Sequence, residues 1–318
     1  MDQQEQAQKH FLPVVSMAEW LNKSYIDCHQ GAVRAVRYNV DGNYALTAGS
    51  DRTVKLWNPT KASPNESLQT FVGHGLDVLD CRSSCDNSLV VTASADKSCA
   101  LYDVQTGRSL RRWRGHAGSV LCVAFNEDAS LVLSGGIDGI VGIWDVRNKN
   151  AREALQTLEE AKDAITSVTC SDHEILVSSL DGRVRRYDIR VGKMMHDNAG
   201  TPVTRACFTS DGKCILVSCL GGVLHLIDKH TGECLQQYKG HSDSEFYLDI
   251  GLGAHGMRVF SGSEDGHVFV WALVEANIIY KIRHPVKGAV HSLSHHPEQN
   301  SLLTASKGLV YLWTEQDS

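Results

Sequence analysis

The sequence predicts an all-β fold: a seven-bladed β-propeller with four antiparallel strands in each blade. The first observation is a repeat of 40–45 residues that recurs along the 318-residue chain. Each repeat carries an aromatic residue or, once, an isoleucine, at Trp57, Tyr102, Trp144, Tyr187, Ile227, Trp271 and Trp313. The second observation is a turn residue six positions earlier, at Asp51, Asp96, Asp138, Asp181, Gly221, Asp265 and Lys307. Repeats of this length and strand-like composition are typical of propeller blades.

Each repeat also has the hydrophobic pattern of buried strands. Aliphatic residues or a cysteine stand three positions before the aromatic residue, as at Val54 and Val141, and an apolar residue usually stands one position before it, as at Leu56 and Ile143. Because side chains alternate along a strand, such strands are apolar on both faces, as stacking between two blades requires. Arg186 breaks the pattern. A buried guanidinium must be paired, so we expect an ion pair to a neighbouring blade, with a basic docking patch as the alternative.

The ring must be closed, because an open propeller would leave a strand edge unpaired. The segment from Trp20 to Asp27 resembles the outer strands of other repeats, such as Leu68 to Val72. We therefore expect this N-terminal strand to complete the last blade, whose own sequence stops just after Trp313. The predicted domains are an N-terminal extension, flexible, at residues 1–19 and the propeller at residues 20–318.

Composition and charge exclude several classes of function. The apolar content of 42% is that of a folded protein, and the net charge of −6 disfavours general affinity for nucleic acid or anionic lipid. The chain has no run of about 18 apolar residues and begins with an acidic, glutamine-rich stretch, so we expect no membrane span and no secretory signal. Ten cysteines without a C-x-x-C pair indicate reduced thiols and a cytoplasmic and nuclear location. We expect a monomer whose contact with nucleic acid is only indirect.

A polar set recurs within the repeats, and we call it the polar clip: a His, a Ser or Thr, the turn Asp and the aromatic residue. The sequence predicts it in blade 1 (His29, Thr47, Asp51, Trp57), blade 2 (His74, Thr92, Asp96, Tyr102), blade 3 (His116, Ser134, Asp138, Trp144) and blade 6 (His241, Ser261, Asp265, Trp271). A catalytic triad occurs once in an enzyme, whereas this set repeats at a fixed register, which indicates a structural role. We expect the Asp to orient the imidazole, the imidazole to bond the hydroxyl and the indole N–H to complete the chain.

The sequence offers no candidate catalytic residue and no metal set. Residues 251–256 match G-x-G-x-x-G, but another strand follows them instead of a helix, so turn glycines explain the match. The neighbours His295 and His296, and the pair Cys81 and Cys85, lack further ligands at metal-binding spacing. We therefore expect no enzyme activity, no cofactor, no metal and no small-molecule substrate.

We predict the protein-binding site at the mouth of the central channel. The strand nearest the axis begins on one face of the disc, so the residues at its start surround the channel mouth. By register these are Arg34, Leu79, Leu121, Thr166, Thr204 and His291, with Asp77 and Ser119 two positions earlier and Phe246 and Tyr247 in an insertion of blade 6. Aliphatic and aromatic side chains on such a rim form an apolar patch, which indicates a partner site. The alternative is that Leu79 and Leu121 only plug the channel.

Two short motifs favour an alternative function. They are WDVR at residues 144–147 and YDIR at residues 187–190, in consecutive blades. Both resemble the W-D-x-R box of propellers that act as substrate receptors of cullin-RING ubiquitin ligases, with Arg147 and Arg190 as the adaptor-binding residues. An Arg at this position also pairs with the adjacent Asp on a protein surface, which is the simpler interpretation.

Longer stretches resemble a known family. They are GAVRAVRYNVDGNYALTAGSDRTVKLWNP at residues 31–59, SDHEILVSSLDGRVRRYDIR at 171–190, RGHAG at 114–118, YKGH at 238–241 and SEDG at 263–266. On these residues the chain is identified as a member of the WD-repeat family. It is similar, over essentially the whole ring, to the mitogen-activated protein kinase organizer scaffolds of that family.

The resemblance implies a non-enzymatic scaffold that assembles multiprotein complexes. Such scaffolds hold together components of the extracellular-signal-regulated (ERK) kinase cascade, and the family is also associated with the pre-mRNA splicing machinery. The implied mechanism is a raised effective concentration of partners bound to the same disc. No residue pattern separates signalling from splicing, and the ubiquitin-ligase receptor remains the alternative.

Overall fold

The protein is a seven-bladed propeller made of strands. The computed structural model describes residues 19–61, 66–148, 153–244, 247–253 and 256–316, which contain 28 strands. The strands form seven four-stranded antiparallel sheets, which confirms the predicted fold class. Within these ranges no helix is long and apolar enough to span a membrane. The extension predicted at residues 1–19 lies outside the described residues, except that Glu19 belongs to the first strand.

Blades 1–3 each consist of four consecutive strands, ordered from the axis outward. Blade 1 contains β2 (Val33–Tyr38), β3 (Ala45–Gly49), β4 (Val54–Trp57) and β5 (Gln69–Phe71). Blade 2 contains β6 (Val78–Ser83), β7 (Leu89–Ser94), β8 (Cys99–Asp103) and β9 (Ser109–Trp113). Blade 3 contains β10 (Val120–Phe125), β11 (Leu131–Gly136), β12 (Val141–Asp145) and β13 (Gln156–Leu158).

Blades 4–6 follow the same order. Blade 4 contains β14 (Ile165–Cys170), β15 (Glu174–Ser179), β16 (Arg183–Asp188) and β17 (Lys193–Asn198). Blade 5 contains β18 (Val203–Phe208), β19 (Cys214–Cys219), β20 (Val223–Asp228) and β21 (Cys234–Lys239). Blade 6 contains β22 (Ile250–Leu252), β23 (Arg258–Gly262), β24 (His267–Ala272) and β25 (Ile278–Arg283).

Blade 7 joins the two ends of the chain, as the sequence predicts. It contains β26 (Ser292–His295), β27 (Ser301–Ser306) and β28 (Leu309–Gln316), and its outer strand is β1 (Glu19–Asp27). The pairing of β1 with β28 runs from Glu19 opposite Gln316 to Asp27 opposite Leu309. Trp20 is buried and packs edge-on against Phe260 of blade 6, with 5.8 Å between ring centroids. The N-terminal strand therefore closes the ring by backbone pairing and by packing.

The hydrophobic core lies between neighbouring blades. The second strand of a blade is buried along its whole length in β3, β15 and β27, because adjacent blades cover both of its faces. The outer strand is mostly solvent-facing, as in β9. This decrease in burial toward the outer strand follows the sequence pattern, because strands with apolar residues on both faces must be covered on both faces.

The two faces of the disc carry different loops. The innermost strand of each blade begins on one face, and the turn between the second and third strands returns to that face; we call it the mouth face. The third strand ends on the other side, which we call the opposite face. The predicted rim residues therefore lie on the mouth face, and Arg147 and Arg190 lie on the opposite face.

Candidate protein-interaction site

The polar clip is complete in blades 1 and 3. In blade 1, Nδ1 of His29 is 2.8 Å from Asp51, its Nε2 is 2.8 Å from the Thr47 hydroxyl, and Trp57 Nε1 donates to that hydroxyl at 2.8 Å. In blade 3, Nδ1 of His116 is 3.1 Å from Asp138, its Nε2 is 2.8 Å from the Ser134 hydroxyl, and Trp144 Nε1 donates to that hydroxyl at 2.8 Å. Burial lowers the pKa of His29, so the imidazole is neutral and each of its nitrogens has a partner. These sets are structural, since each polar atom is already bonded inside the blade.

Blade 2 follows the same plan with a tyrosine. His74 contacts Asp96 at 2.9 Å and the Thr92 hydroxyl at 2.7 Å. The hydroxyl of Tyr102 instead donates to the backbone oxygen of Val72 at 3.3 Å. The Tyr102 hydroxyl thus bonds the backbone beyond the clip, whereas the indole N–H in blades 1 and 3 bonds the clip hydroxyl. The tyrosine therefore anchors a neighbouring loop.

The clip predicted in blade 6 does not form, and that prediction is wrong. Both ring nitrogens of His241 are buried without a partner, the Ser261 hydroxyl donates to Gly262, and Trp271 Nε1 donates to the Lys239 carbonyl at 3.2 Å. Asp265 instead contacts His267 and Lys281. The spacing differs, because His241 stands 24 residues before Asp265, whereas His29 stands 22 before Asp51.

Blades 3 and 6 also differ two positions before the aromatic residue. Blade 3 has Gly142 there, where an added Cβ would lie 3.0 Å from the Trp144 indole. Blade 6 has Phe269 at that position, stacked on Trp271 with 5.7 Å between ring centroids. Blade 7 has Tyr311 there, also stacked on its indole, and Trp313 Nε1 still reaches the Thr304 hydroxyl, so an aromatic residue at this position does not by itself displace the indole.

Blade 7 contains a clip that the sequence analysis missed. His284 Nε2 is 3.0 Å from the Thr304 hydroxyl, to which Trp313 Nε1 also donates at 2.8 Å. His284 escaped notice because it stands 29 residues before Trp313 and no Asp accompanies it. The turn between the second and third strands is one residue shorter in blade 7 than in blade 1, and Lys307 lies in it with a positive φ of 54°. Nδ1 of His284 is therefore buried without a partner, and burial lowers its pKa to about 4.

Blade 4 replaces the clip histidine with an arginine. Asp181 is held by Arg185, which contacts its two oxygens at 3.2 and 2.5 Å. Arg186 is also buried, and it pairs with Asp197 at 3.3 Å. Since Asp197 lies in β17 of the same blade, the expected ion pair to a neighbouring blade is corrected to one within blade 4. Its burial also contradicts the alternative of a basic docking patch at Arg186.

The structure brings the predicted rim residues together around one cavity. Arg34, Leu79, Leu121, Thr166, Thr204, Tyr247 and His291 all line it, together with Arg37, Arg205, Leu248 and Asp249 deeper in the channel. The cavity has a volume of about 250 Å³ and opens on the mouth face. Leu79 and Leu121 are half-buried and leave this space open above them, so they do not plug the channel completely.

The remaining rim residues lie around this cavity. Arg34 pairs with Asp77 at 3.0 Å, and Ser50 donates to the same carboxylate at 2.9 Å, so the side chain of Arg34 is held in place although 42% of it is exposed. Ser119 donates to the Ala95 carbonyl at 3.4 Å. Tyr247 is half exposed, and the predicted Phe246 lies outside the described residues. A fixed guanidinium beside an exposed phenol and two leucines is suited to a protein partner.

Below the mouth, charged residues meet on the axis, and the sequence analysis missed them. Asp249 receives two hydrogen bonds from Arg37 at 2.5 and 3.3 Å, one from Ser292, and an ion pair from Arg205 Nε at 2.9 Å. Arg37 also pairs with Asp80 at 3.1 Å. Although burial raises it, Arg205 and Arg37 hold the pKa of Asp249 down at about 2. Five blades are thus tied together across the channel.

The two adaptor-binding candidates are surface residues. Arg147 and Arg190 expose 75% and 65% of their side chains. Arg190 pairs with Asp188 at 3.3 Å, and Arg147 Nε lies 3.7 Å from Asp145. Each arginine thus contacts the Asp of its own motif, and both face solvent on the opposite face.

Comparison with protein families decides the classification. The WD domain, G-beta repeat, matches residues 21–58, 232–272 and 277–314, and the nucleolar protein 10-like N-terminal domain matches residues 50–247. The chain belongs to the WD-repeat family. WD-repeat propellers are generally non-catalytic scaffolds for protein–protein interaction.

Full-length relatives narrow the resemblance within the WD-repeat family. Human WD repeat domain-containing protein 83 is 51% identical over 292 residues, which cover 92% of this chain and 91% of the relative. The rat protein of the same name is 50% identical over the same shares. A homolog from Dictyostelium discoideum is 29% identical over 322 residues, covering 91% of this chain and 96% of the relative. WD repeat domain-containing protein 83 is the mitogen-activated protein kinase organizer, which confirms the predicted resemblance.

The WD-repeat pattern explains which residues the sequence could reveal. Clips and rim positions recur at the family period, so register locates them. The axial charges follow no regular period: by strand pairing, the position of Asp80 is filled by another aspartate in one blade only, the residues being Ala35, Cys122, Ser167, Arg205, Asp249 and Ser292. A signal existed, since three arginines and two aspartates fall on strands otherwise apolar or small, but only the closed ring shows that they meet.

Proposed function

We propose that the chain is a non-catalytic scaffold that assembles multiprotein complexes through the channel mouth. Its proposed partners are components of the MAP-kinase (ERK) cascade, components of the pre-mRNA splicing machinery, or both. The 50–51% identity to proteins of the kinase-organizer group supports this choice of partners. The proposed site is the rim made of Arg34, Asp77, Leu79, Leu121 and Tyr247, together with His291.

The observation that carries the proposal is the chemistry of the mouth cavity. Side chains from all seven blades converge on a space of about 250 Å³. Exposed Tyr247 and half-buried Leu79 offer apolar contact, and Arg34, fixed by Asp77, offers oriented donors. Aromatic and arginine side chains dominate the binding energy of protein interfaces. The clips lie inside the blades, which leaves the mouth as a recognition surface distinct from the structural sets.

The proposed mechanism needs a rigid disc and separate faces, and no chemical step. Partners bound to the mouth face and to other parts of the disc would meet at a raised effective concentration. The axial ion pairs and the closed ring keep these surfaces at fixed distances. All ten cysteines are free, which fits the proposed cytoplasmic and nuclear location, where thiols stay reduced. We propose that the protein acts as a monomer.

The test is an affinity purification with quantitative mass spectrometry. The Arg34→Glu/Tyr247→Ala double variant is expected to lose kinase-cascade or splicing proteins by about tenfold or more, since hot-spot residues contribute at least about 2 kcal/mol each. The matched control, Arg147→Glu/Arg190→Glu, changes the opposite face and is expected to retain them. The identity of the lost proteins decides between signalling and splicing. If the mouth variant retains every partner, the channel mouth is not the binding site.

A further inference from the structure

The axial channel contains more positive charge than its own carboxylates neutralise. Three arginines, Arg37, Arg82 and Arg205, face two aspartates, Asp80 and Asp249. This excess of one positive charge occurs inside a chain whose net charge is −6. Salt and solvent screen such an excess little inside a protein. A channel of this kind attracts an anion.

Asp249 has no capacity left for a further arginine. Asp249 is engaged by Arg37, Arg205 and Ser292, and Asp80 by Arg37 and the backbone N–H of Val123. A carboxylate has about four lone-pair sites, and those of Asp249 are occupied. The remaining guanidinium N–H groups can therefore bond an acceptor other than Asp249.

Two arginines have donors to spare. Arg82 points into the channel and, in the part of the chain that the structure describes, makes no hydrogen bond or ion pair to a carboxylate. Arg205 contacts Asp249 through Nε alone, so its two terminal nitrogens have no partner among the described residues. Burial and then the repulsion of Arg37 lower the pKa of Arg82 to about 10, so it stays charged at neutral pH. Donors of this kind, in a fixed fork, match an oxyanion.

The level of Arg82 has room and one further donor. By strand pairing, the same level is occupied by Arg37 of blade 1, whose guanidinium is engaged by Asp80 and Asp249. The other blades have small residues there: Ala124, Thr169, Cys207, Gly251 and Ser294. The Thr169 hydroxyl is buried without a partner. No acidic side chain from these strands competes for Arg82 at this level.

We propose that the axial channel holds an oxyanion, a phosphate or carboxylate group, between Arg82 and Arg205 with the Thr169 hydroxyl as a further donor. The group enters through the mouth cavity, whose floor contains Arg205. It comes either as a free ion or on an acidic or phosphorylated side chain of a partner. Binding of a free ion does not depend on the proposed scaffold function.

The experiment measures binding of inorganic phosphate by calorimetry and by Tm, at constant ionic strength set with sodium chloride. Saturating phosphate is expected to raise the Tm of the full-length protein by about 2–4 °C. Arg82→Met is expected to abolish this response and, because it removes repulsion with Arg37, to leave the Tm in phosphate-free buffer equal or higher. Thr169→Val, a milder change, is expected to weaken binding several-fold. Arg34→Met, at the exposed mouth, is the control that retains the response.

A second arm identifies the source of the oxyanion. A phosphoserine peptide is compared with its unphosphorylated form by fluorescence anisotropy. Binding at least tenfold tighter than phosphate, lost in both Arg82→Met and Tyr247→Ala, indicates a side chain of a partner. Equal response to phosphate and peptide indicates a free ion. The proposal is overturned if phosphate stabilises no more than chloride, or if Arg82→Met lowers the Tm and keeps the phosphate response. Neither result depends on whether the mouth variant loses its protein partners.

Discussion

Blades 1–3 and blades 5–7 share one backbone plan, but they satisfy their buried polar groups differently. In blades 1–3 both ring nitrogens of each clip histidine have a partner. In blades 5–7, both nitrogens of His241, Nδ1 of His284 and one oxygen of Asp243 have none within the described residues. Such a group costs about 1–3 kcal/mol. Stability is therefore distributed unevenly around the ring.

Apolar packing maintains the blade where the clip is lacking. In blade 5, Ile227 and Tyr238 are buried in place of a Trp-centred clip. In blade 6, Phe269 stacks on Trp271, and Tyr238 packs beside the same indole at 6.1 Å. Strand pairing and stacking between blades therefore suffice to build a blade. The polar clip adds stability to a blade built in this way. Where the clip is lost or incomplete, in blades 5–7, buried ionisable side chains titrate.

The largest effect should come from opening the ring at blade 7. Deletion of residues 1–27 removes β1, which leaves the edge of β28 unpaired and uncovers Tyr311, Trp313 and Phe260. We expect the truncated protein to lose its cooperative thermal transition, as measured by calorimetry and near-ultraviolet circular dichroism. Deletion of residues 1–18 keeps β1 and serves as the matched control, with a Tm close to that of the full chain. If both deletions melt alike, closure by β1 contributes nothing.

The next effect concerns Asp243, at the junction of blades 5 and 6. Asp243 is 2% exposed, its only side-chain partner among the described residues is the Ser218 hydroxyl at 3.5 Å, and Glu264 lies nearby. Burial and then the charge of Glu264 raise its pKa to about 7. Because folding raises this pKa, the unfolded chain releases the Asp243 proton at a lower pH than the folded protein does. Stability is therefore fully present below pH about 4 and is lost as pH rises through about 7.

Asp243→Asn removes this titration and should sharpen the contrast with blades 1–3. The variant should become more stable than the wild type as pH rises from 4 to 7, and the Tm difference should then stay constant. The gain in free energy of unfolding is expected to be on the order of a few kcal/mol. Glu264→Gln, the control, should move the midpoint to lower pH because it removes one repulsive charge. A Tm difference independent of pH would mean that Asp243 is already ionised at pH 4.

The architecture could be predicted almost entirely from the sequence, because it depends on features that repeat. The period, the turn residues and the outer-strand resemblance of residues 20–27 located all seven blades and the closure. The errors occurred where one blade departs from the period. In blade 6 the clip does not form although its four residue types are present, and in blade 7 the short turn at Lys307 leaves no carboxylate. The sequence period does not express how either blade packs.

The candidate site was predictable in part, for the same reason. Register along the innermost strands placed Arg34, Leu79, Leu121 and His291 around one cavity. The charged floor below them was missed, because Arg37 and Asp249 are 212 residues apart and no regular period of charge marks their positions. Contacts between unique residues of distant blades exist only in the closed ring.

A smaller effect distinguishes a complete clip from an incomplete one with the same substitution. His116→Phe in blade 3 deprives Asp138 and Ser134 of a buried partner, and should destabilise the protein by about 1–3 kcal/mol. His241→Phe in blade 6 removes two unsatisfied nitrogens beside Trp271, and should leave stability unchanged or higher. Chemical denaturation compares the two directly. Equal losses in both variants would show that the histidines contribute by packing alone.

Acid sensitivity gives this pair a second readout. Burial lowers the pKa of His241 to about 4, whereas an unfolded histidine takes up its proton near pH 6.5. Wild-type stability should therefore fall as pH drops from about 6.5 to 4, since the unfolded chain binds the proton first. His241→Phe should flatten that decline, as seen in Tm against pH.

The smallest effect on stability is expected at the W-D-x-R-type motifs of blades 3 and 4, and there the informative result is binding. Arg147 and Arg190 are exposed ion-pair partners, and such pairs contribute about 0–1 kcal/mol. The double reversal to glutamate should leave the Tm nearly unchanged, because both arginines lie on the opposite face, away from the clips and the axial charges. The ubiquitin-ligase alternative requires more: the wild type must capture a cullin adaptor, and the reversal must release it while kinase or splicing partners stay bound. If the wild-type complex contains no adaptor, each motif is a surface ion pair between its arginine and its own aspartate, Asp145 or Asp188.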